Sequence, residues 1–187
     1  ISIGLVGSEM CIRDRHGIVT GGLKGIGQAI TQRLVECGAK VLIADSDPSI
    51  KDCSNTELMT FQYCDVTKTT DLVSAITSAS DQQGIDFIVN NAGIFPTTGP
   101  LENVTDDFVS RMLEVNVRAQ YSASREASKY LREGGSIVNI ASIAALRGGA
   151  NISAYSTSKA AVIGLTQSFA QELGPKGIRV NAVSYTH

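Results

Sequence analysis

The sequence predicts an α/β fold in which one parallel β-sheet carries helices on both faces. Short apolar segments alternate along the chain with longer segments of helical periodicity, and neither repeats nor low-complexity linkers interrupt this order. One apolar segment, KVLIAD at residues 40–45, shows no polar alternation, as expected for a strand covered on both faces. With right-handed crossovers, this order predicts a doubly wound sheet of Rossmann type in three layers, α/β/α.

Six segments are predicted as strands because they are short and apolar and are bounded by turn residues. The fourth includes the sequence NNAG and ends in a turn, and the fifth ends at Ser142. In chain order the predicted strands are residues 17–20, 40–45, 61–66, 85–93, 136–142 and 178–183.

Four segments are predicted as helices. In the first, Ile26, Ile30 and Leu34 recur at helical spacing, and Gly38 is expected to cap the C-terminus. The third is long enough to hold two helices in series. In chain order the predicted helices are residues 26–38, 71–84, 103–131 and 155–174.

Composition excludes two classes of partner. The chain has 187 residues, of which 43% are hydrophobic, and this is enough to build one globular core. A net charge of −2 argues against nucleic-acid binding, because nucleic-acid-binding domains present a basic patch. No run approaches the roughly 18 apolar residues of a membrane-spanning helix. We therefore expect neither nucleic acid nor membrane as a partner.

The four cysteines show neither a CxxC pair nor metal-ligand spacing, and both histidines lie outside the regularly patterned part of the chain. The sequence therefore predicts no metal site and reduced thiols, which are typical of a cytoplasmic protein. These residues are Cys11, Cys37, Cys53, Cys64, His16 and His187.

Both ends of the sequence are unlike the segment between them. Residues 1–15, ISIGLVGSEMCIRDR, continue into no helical or strand pattern and resemble a translated sequencing adapter, as does the terminal SYTH. We expect residues 1–15 and 184–187 to be non-native, leaving residues 16–183 as the native domain. A natural N-terminal arm is the alternative.

A glycine-rich turn, TGGLKGIG at residues 20–27, joins the first strand to the first helix. Its Gly21, Gly25 and Gly27 suit a turn that presents helix N-terminal amides to a phosphate, although tight packing alone also requires glycine. Asp45 ends the second strand 18 residues after Gly27, close to the spacing of about 20 at which an acid binds the adenosine ribose. The sequence therefore predicts a dinucleotide site.

Asp45 also bears on the choice between NAD and NADP. A carboxylate that accepts hydrogen bonds from the ribose 2′-hydroxyl repels a 2′-phosphate, and Asp47 adds to this repulsion. Lys24, inside the glycine turn, favours NADP, because an ammonium can pair with a 2′-phosphate. We give Asp45 the greater weight and expect NAD(H), with NADP less favoured.

Four polar residues are candidates for catalysis. Tyr155 and Lys159 lie four residues apart on a predicted helix and so share one face, although an exposed Tyr–Lys pair without function is also common. Ser142 ends the fifth predicted strand. Asn116 interrupts the apolar pattern of the long helix, where a buried amide requires hydrogen-bond partners.

Taken in order, TGxxxGxG at 20–27, NNAG at 90–93, Asn116, Ser142 and YSTSK at 155–159 give the chain a specific resemblance. From residue 17 to residue 183 it resembles the short-chain dehydrogenases/reductases of the compact, single-domain type. The resemblance implies an oxidoreductase that moves a hydride between NAD(P) and an alcohol or ketone. Four substrate classes stay open: 3-oxoacyl chains, hydroxysteroids, polyols and small secondary alcohols.

The resemblance also implies the role of each residue. Tyr155 would be the general acid/base, and Lys159 would stabilise its phenolate form and hold the nicotinamide ribose. Ser142 would polarise the reacting oxygen, and Asn116 would support a water chain that carries the proton to solvent. Asn91 would tie neighbouring strands together. The implied cofactor contacts are Gly21, Lys24, Gly25, Ile26, Gly27, Asp45, Asp65, Val66, Asn90, Ala92, Gly93, Tyr155 and Lys159.

The resemblance stops at NAVSYTH, where the family continues with a Pro-Gly turn. We therefore expect the last strand of the family fold to be missing and the sixth predicted strand to form an open edge. The full-length parent is expected to be a homodimer or homotetramer that associates through the helices bearing Asn116 and Tyr155. Two alternatives to an active enzyme are a non-catalytic dinucleotide-binding regulator and an inactive fragment.

Overall fold

The computed structural model describes residues 12–80, 82, 84–97 and 99–184. Most of the two predicted non-native ends, together with Cys11 and His187, lies outside these ranges. Residues 12–15 of the predicted N-terminal arm are described, and they contact the domain. Ile12 packs against buried residues of the sheet, and Arg15 forms an ion pair with Asp86.

Six strands form one fully parallel sheet in the order β3-β2-β1-β4-β5-β6. This is the strand order of the Rossmann fold, and it confirms the predicted doubly wound architecture. The order reverses between β1 and β4, and in the described part of the chain β3 and β6 are the two edges. The strands are β1 (His16–Thr20), β2 (Lys40–Asp45), β3 (Met59–Tyr63), β4 (Ile85–Asn90), β5 (Leu131–Ile140) and β6 (Arg179–Val183).

Helices cover both faces of the sheet, as the buried strands require. Successive residues of β1 point to opposite faces: Ile18 belongs to the core under α2, α4 and α6, and Val19 to the core under α1. Both side chains are at most 1% exposed. The helices are α1 (Gly25–Glu36), α2 (Thr69–Ala79), α3 (Asp106–Leu113), α4 (Ala119–Ala127), α5 (Ala144–Arg147) and α6 (Ser153–Leu173).

Several predicted boundaries were wrong, and local hydrogen bonds explain two of them. The third strand covers residues 59–63 instead of 61–66, because Asp65 turns the chain by accepting hydrogen bonds from the amide and hydroxyl of Thr67. The second helix ends at Ala79, because Ser80 is extended and donates its hydroxyl to the Ile76 carbonyl. The fourth strand ends at residue 90, and the fifth covers residues 131–140, so Ser142 lies beyond it.

Helix α1 ends two residues before the predicted end, and its cap lies one residue before the predicted cap. Cys37 is the C-cap, and Gly38 follows it with a φ of +91°. The amide of Gly38 donates to the Val35 carbonyl, and that of Ala39 donates to the Leu34 carbonyl. This is the Schellman motif, in which glycine supplies the left-handed residue after the cap.

The predicted helical stretch 103–131 contains two helices, as one alternative allowed, joined by an irregular turn. Between α3 and α4, residues Glu114–Arg118 form a π-helical turn in which the amide of Ala119 donates to the Glu114 carbonyl. Asn116 lies at the centre of this turn and is fully buried. Such π-turns within α-helices are frequent at functional sites.

Candidate active site

A cleft of about 440 Å³ opens beyond the carboxyl ends of the strands, where the strand order reverses. Ligands of open α/β sheets bind at this position. Most of the predicted site residues line the cleft: Gly21, Lys24, Ile26, Asp45, Asp65, Val66, Ala92, Gly93, Tyr155 and Lys159. Five do not line it, namely Gly25, Gly27, Asn90, Asn116 and Ser142.

The glycine turn brings β1, β4 and α1 into close contact. A Cβ on Gly27 would lie 2.0 Å from the Gly21 carbonyl oxygen and 2.4 Å from Nδ2 of Asn91. Gly21 and Gly25 have φ values of +63° and +56°, which disfavour any residue with a side chain. Gly27 therefore serves close packing, whereas Gly21 and Gly25 serve the path of the backbone.

The N-terminus of α1 faces the cleft without a side-chain cap. Lys24 is the N-cap residue, and its side chain accepts no hydrogen bond from the helix. The first-turn amides therefore have no side-chain partner, and Gly21, Lys24 and Ile26 place this end of the helix on the cleft wall. A phosphate group fits such a site, because free amides and the helix dipole both attract an anion.

Asp45 is held in a fixed orientation at the end of β2. One of its carboxylate oxygens accepts a hydrogen bond from the Leu23 amide at 3.1 Å, and the other accepts one from the Asp47 amide at 3.0 Å. Asp47 in turn forms an ion pair with Lys24, whose ammonium donates to it at 2.5 Å. This hydrogen bond lowers the pKa of Asp47 and raises the pKa of Lys24. The Lys24 charge is thus compensated next to Asp45.

A second acidic turn follows β3, the strand next to β2. Asp65 accepts hydrogen bonds from Thr67, and these keep the pKa of its carboxyl below the ordinary value. The Thr67 carbonyl accepts a hydrogen bond from Arg118 of the π-turn at 2.5 Å. Asp65 and Val66 therefore lie beside the cleft in a turn that these hydrogen bonds stabilise, and not at the end of a strand.

The two asparagines of the NNAG motif have different surroundings. Asn90 is 1% exposed, and its Nδ2 donates to Ser124 of α4 and to Asn139 of β5, both at 2.8 Å. Its side chain is thus hydrogen-bonded between the sheet and α4 and does not line the cleft. The Nδ2 of Asn91 donates to the carbonyls of Thr20 and Gly21, so Asn91 ties β4 to the glycine turn and also lines the cleft.

Tyr155 and Lys159 lie side by side on α6. The ammonium of Lys159 is 5.8 Å from the centre of the Tyr155 ring and donates a hydrogen bond to the Ile140 carbonyl at 2.7 Å. Lys159 is only 4% exposed, and desolvation lowers its pKa from 10.5 to about 8. The pair is therefore not an exposed Tyr–Lys pair, since its lysine is buried beneath the tyrosine.

Asn116 is buried and connects two segments that line the cleft, those of Ile94 and Tyr155. Its Oδ1 accepts a hydrogen bond from the Ile94 amide at 2.8 Å, and its Nδ2 donates to the Ile94 carbonyl at 3.0 Å. The same Nδ2 lies 3.1 Å from the hydroxyl of Ser158, which donates to the Tyr155 carbonyl at 2.7 Å. Asn116 thus connects the loop after β4 to the helix that carries Tyr155.

Ser142 lies two residues beyond the end of β5 and is half-buried. Its hydroxyl oxygen accepts a hydrogen bond from the Ala144 amide at 3.2 Å, in the turn that leads into α5. Ile140, two residues earlier, lines the cleft. Ser142 is therefore adjacent to the cleft along the chain without forming part of its wall.

Several residues outside the predicted catalytic and cofactor-binding sets also line the cleft. Phe95 packs its ring on that of Tyr155, with the ring centres 4.4 Å apart. Arg111 of α3 lies on the wall and interacts electrostatically with Asp65 and Glu114. Neither residue belongs to a motif, and only the fold brings them to the cleft. The other residues of this group are Ser46, Thr67, Asn91, Ile94, Val115 and Ile140.

Comparison with known proteins identifies the family. The sequence model of the short chain dehydrogenase family matches residues 15–186. The chain belongs to the short-chain dehydrogenase family. One short-chain dehydrogenase relative is the L-2,3-butanediol dehydrogenase of Corynebacterium glutamicum, which is 40% identical over 181 residues. That alignment covers 90% of the present chain and 70% of the relative.

Solved short-chain dehydrogenase structures have the same fold. A short chain dehydrogenase from Burkholderia cenocepacia, in complex with NADP, superposes with a TM-score of 0.83 at 38% identity and covers 92% of this chain and 74% of that one. The 3-ketoacyl-(acyl-carrier-protein) reductase from Brucella melitensis, complexed with NADH, superposes with a TM-score of 0.86 at 30% identity and covers 92% and 76%. Both nicotinamide dinucleotides thus occur among the structural neighbours of this short-chain dehydrogenase.

Across the described residues, no helix is long and apolar enough to cross a membrane. In that same part of the chain, no three His, Cys, Asp or Glu residues are grouped so that they could hold a metal ion.

Proposed function

We propose that the protein is an oxidoreductase that moves a hydride between NAD(H) and an alcohol or ketone, with Tyr155 as the general acid/base. The observation that carries this proposal is the placement of Tyr155 and Lys159 in one cleft with the glycine turn and Asp45. The groups needed for proton transfer and for dinucleotide binding thus share a single space.

The proton step follows from the surroundings of Tyr155. During oxidation the phenolate form of Tyr155 takes the proton of the substrate hydroxyl, and during reduction the phenol returns it. Protonated Lys159 stabilises the phenolate, because its ammonium is held close by in surroundings of low dielectric. Ser142 donates a hydrogen bond to the reacting oxygen, and Asn116 holds the loop after β4 and helix α6 in register.

The cofactor contacts follow from the walls of the cleft. The N-terminus of α1, with Gly21, Gly25, Ile26 and Gly27, would hold the pyrophosphate. Asp45 would bind the adenosine ribose. Asp65 and Val66 would contact adenine. The backbone of Asn90, Ala92 and Gly93 would contact the adenosine ribose. Tyr155 and Lys159 would contact the nicotinamide ribose. The bound nicotinamide supplies hydride acceptance and donation at its ring.

Two carboxylates support NAD over NADP. Asp45 lines the cleft, and two backbone amides fix the orientation of its carboxylate. Asp47 forms an ion pair with the ammonium of Lys24. The two aspartates and Lys24 together carry one net negative charge at the position where a 2′-phosphate would lie. Such a phosphate would be repelled and would also have to compete with Asp47 for Lys24.

Parallel titrations with NADH and NADPH, read as thermal shifts and by calorimetry, test the cofactor proposal. We expect NADH to bind more tightly. Asp45→Asn keeps an acceptor oxygen for Leu23 but removes the charge, so it should improve NADPH binding by about tenfold, the scale of one screened charge pair. Asp52→Asn, which removes an exposed acid of the Pro48–Asp52 helical turn, is the matched control. Tighter NADPH binding by the unaltered protein would refute the NAD preference.

We also propose that the protein self-associates as a homodimer or homotetramer through α4 and α6 and works in the cytoplasm. Tyr121 of α4 is 46% exposed and packs its ring on Phe169 of α6, with the ring centres 4.9 Å apart. A buried partner surface would cover this exposed ring. Light scattering on the protein and on Tyr121→Ser tests the association, and a monomeric unaltered protein would end this part of the proposal. A fluorescent fusion tests the compartment.

A further inference from the structure

We propose that Phe95 is a specificity-determining residue, which makes neutral, ring-bearing secondary alcohols and ketones the preferred substrates of the cleft. This inference rests on the proposed function, because it assigns a substrate class to the site of Tyr155. It starts from an aromatic side chain that no motif accounts for.

The ring of Phe95 is unusually accessible for a phenylalanine. It is 56% exposed although it packs on Tyr155, with ring centres 4.4 Å apart and planes tilted by 53°. One part of the ring therefore covers the tyrosine, and the rest faces solvent at the edge of the cleft. An exposed apolar surface beside a reacting group is typical of a surface that a ligand covers.

The backbone next to Phe95 is held in place before any ligand binds. Asn116 makes hydrogen bonds with both the amide and the carbonyl of Ile94. Through Ser158 the same asparagine is connected to the turn of α6 that carries Tyr155. The relative position of Phe95 and Tyr155 is thus fixed by buried hydrogen bonds, as a preformed binding wall requires.

The surroundings of Tyr155 are apolar and almost free of charge. Ile94 and Ile140 line the cleft with Phe95, and the segments 92–97 and 140–146 contain no acidic or basic residue. The Lys159 ammonium beside the tyrosine already donates to the Ile140 carbonyl. A negatively charged substrate group would therefore lose its hydration here and would have to compete with the Tyr155 phenolate for the Lys159 charge.

Besides Lys159, two basic side chains border this region. Arg111 is at the Asp65 end of the cleft and interacts with Asp65 and Glu114. Arg147 ends α5 and is exposed, next to Leu146, an apolar residue that is 70% exposed. An aromatic platform in apolar surroundings favours a flat or cyclic hydrocarbon group, because ring stacking adds to the burial of apolar surface.

The test compares three secondary alcohols with NAD: 1-tetralol, which carries rings, L-2,3-butanediol, which is small and neutral, and lactate, which is charged. We expect kcat/KM to be about tenfold higher for 1-tetralol than for either of the others, the scale of one or two buried methylene groups. Equal or lower kcat/KM for 1-tetralol would overturn the inference, whereas the proposed oxidoreductase function would stand.

Variants of Phe95 distinguish two roles for its ring: contact with the substrate, and support of the Tyr155 ring. Phe95→Ala should raise KM for 1-tetralol by about tenfold more than KM for L-2,3-butanediol, so that the preference for the ring-bearing alcohol is lost. Phe95→Leu, which keeps an apolar side chain, should restore part of the loss. Tyr63→Ala removes an aromatic ring that is 44% exposed on edge strand β3 and serves as the control. An equal fall in kcat for all substrates with Phe95→Ala would overturn the inference.

A binding measurement keeps the inference testable if no alcohol is turned over. Saturation-transfer NMR should detect binding of 1-tetralol to the unaltered protein. In Phe95→Ala this signal should be at least about threefold weaker, because one ring contact is lost. Phe95-dependent binding without turnover would support the substrate class and contradict the oxidoreductase proposal. Absence of binding, or binding that does not depend on Phe95, would overturn the inference.

Discussion

The ammonium of Lys159 donates a hydrogen bond to the carbonyl of Ile140 at 2.7 Å, so α6 is joined to the last residue of β5. This bond places a buried cation beneath the ring of Tyr155. Together with the hydrogen bond from Asn139 of β5 to the hydroxyl of Thr166, it joins the helix bearing the proposed acid/base to the sheet. The proposed chemistry therefore depends on a lysine whose burial is costly to the fold.

Because Lys159 is buried, the free energy of unfolding should depend on pH. Burial lowers the pKa of Lys159 from 10.5 in the unfolded chain to about 8 in the native protein. Between these two values only the unfolded chain binds the proton, so the free energy of unfolding should rise with pH, in total by about 3 kcal/mol at roughly 1.4 kcal/mol per unit of pKa shift. Below pH 8 Lys159 is protonated in both the native and the unfolded protein, so it should make no contribution to the pH dependence of the free energy of unfolding.

Chemical denaturation between pH 7 and 10.5 measures the effect as the difference between the protein and Lys159→Met. The subtraction is needed because burial raises the pKa of Cys64 from 9.0 to about 12, which lowers stability as the pH rises above 9. Lys176→Met, which removes an exposed ammonium, is the control. A difference between the protein and Lys159→Met that does not change with pH would contradict the assignment.

Asn116→Ala should destabilise the protein and also reduce turnover. It leaves the amide and carbonyl of Ile94 without the partners that the Asn116 side chain provides, at a cost of about 2 kcal/mol. Ser158→Ala removes only the connection to α6 and should cost about 1 kcal/mol with most turnover retained. Urea denaturation and steady-state rates check both. Equal losses of stability in the two variants would contradict the role of the Ile94 contact.

Gly27→Ala should weaken both folding and dinucleotide binding. The added Cβ would lie 2.0 Å from the Gly21 carbonyl oxygen, so the turn must move, at a cost of about 1–3 kcal/mol. Gly164→Ala on α6, where no atom lies within 4 Å of the added Cβ, should instead raise stability by about 0.5–1 kcal/mol. Thermal denaturation with and without NADH checks this pair. Unchanged NADH affinity in Gly27→Ala would show that the turn does not shape the cofactor site.

Asp86 should matter for stability but not for cofactor binding. It is 4% exposed and pairs with Arg15 and Arg132 at the start of β4, at the end of the sheet remote from the cleft. Asp86→Asn should cost about 2–3 kcal/mol, toward the lower end for a broken buried ion pair because Arg15 is partly exposed.

The comparison for Asp86 is Glu36→Gln, which breaks an exposed ion pair with Arg33 and should change stability by less than about 1 kcal/mol. Denaturation and NADH titration of both variants provide the measurements. A large loss of NADH affinity in Asp86→Asn would show that the two ends of the sheet are energetically coupled.

The sequence was sufficient to predict the parallel sheet and the placement of most cleft residues. Helical and strand periodicity reflects which faces are buried, so the alternation that includes KVLIAD at 40–45 predicted the layers. The glycine turn and Asp45 were recognisable because phosphate and ribose binding require particular residues at a particular spacing.

The remaining features depend on contacts between distant parts of the chain. Phe95 meets Tyr155, and Arg111 approaches Asp65, only because the fold joins their elements, and no local pattern encodes these pairs. Asn90 is the last residue of β4 and contacts α4 and β5, whereas Asn91 lies beyond the strand and contacts the glycine turn, so their different surroundings depend on where β4 ends. The π-turn at Asn116 interrupts a helical periodicity that by itself predicts regular helix.

The central claim is that Tyr155 transfers the proton in a cleft that binds NAD(H). The most direct test is the single-turnover rate of Tyr155→Phe with saturating NAD and L-2,3-butanediol or 1-tetralol, whichever the unaltered protein turns over faster, after calorimetry has confirmed NADH binding. We predict a fall of at least about a hundredfold in rate, the lower bound for loss of a general acid/base, with NADH affinity changed by less than about threefold. A rate within tenfold of the unaltered protein would contradict the account.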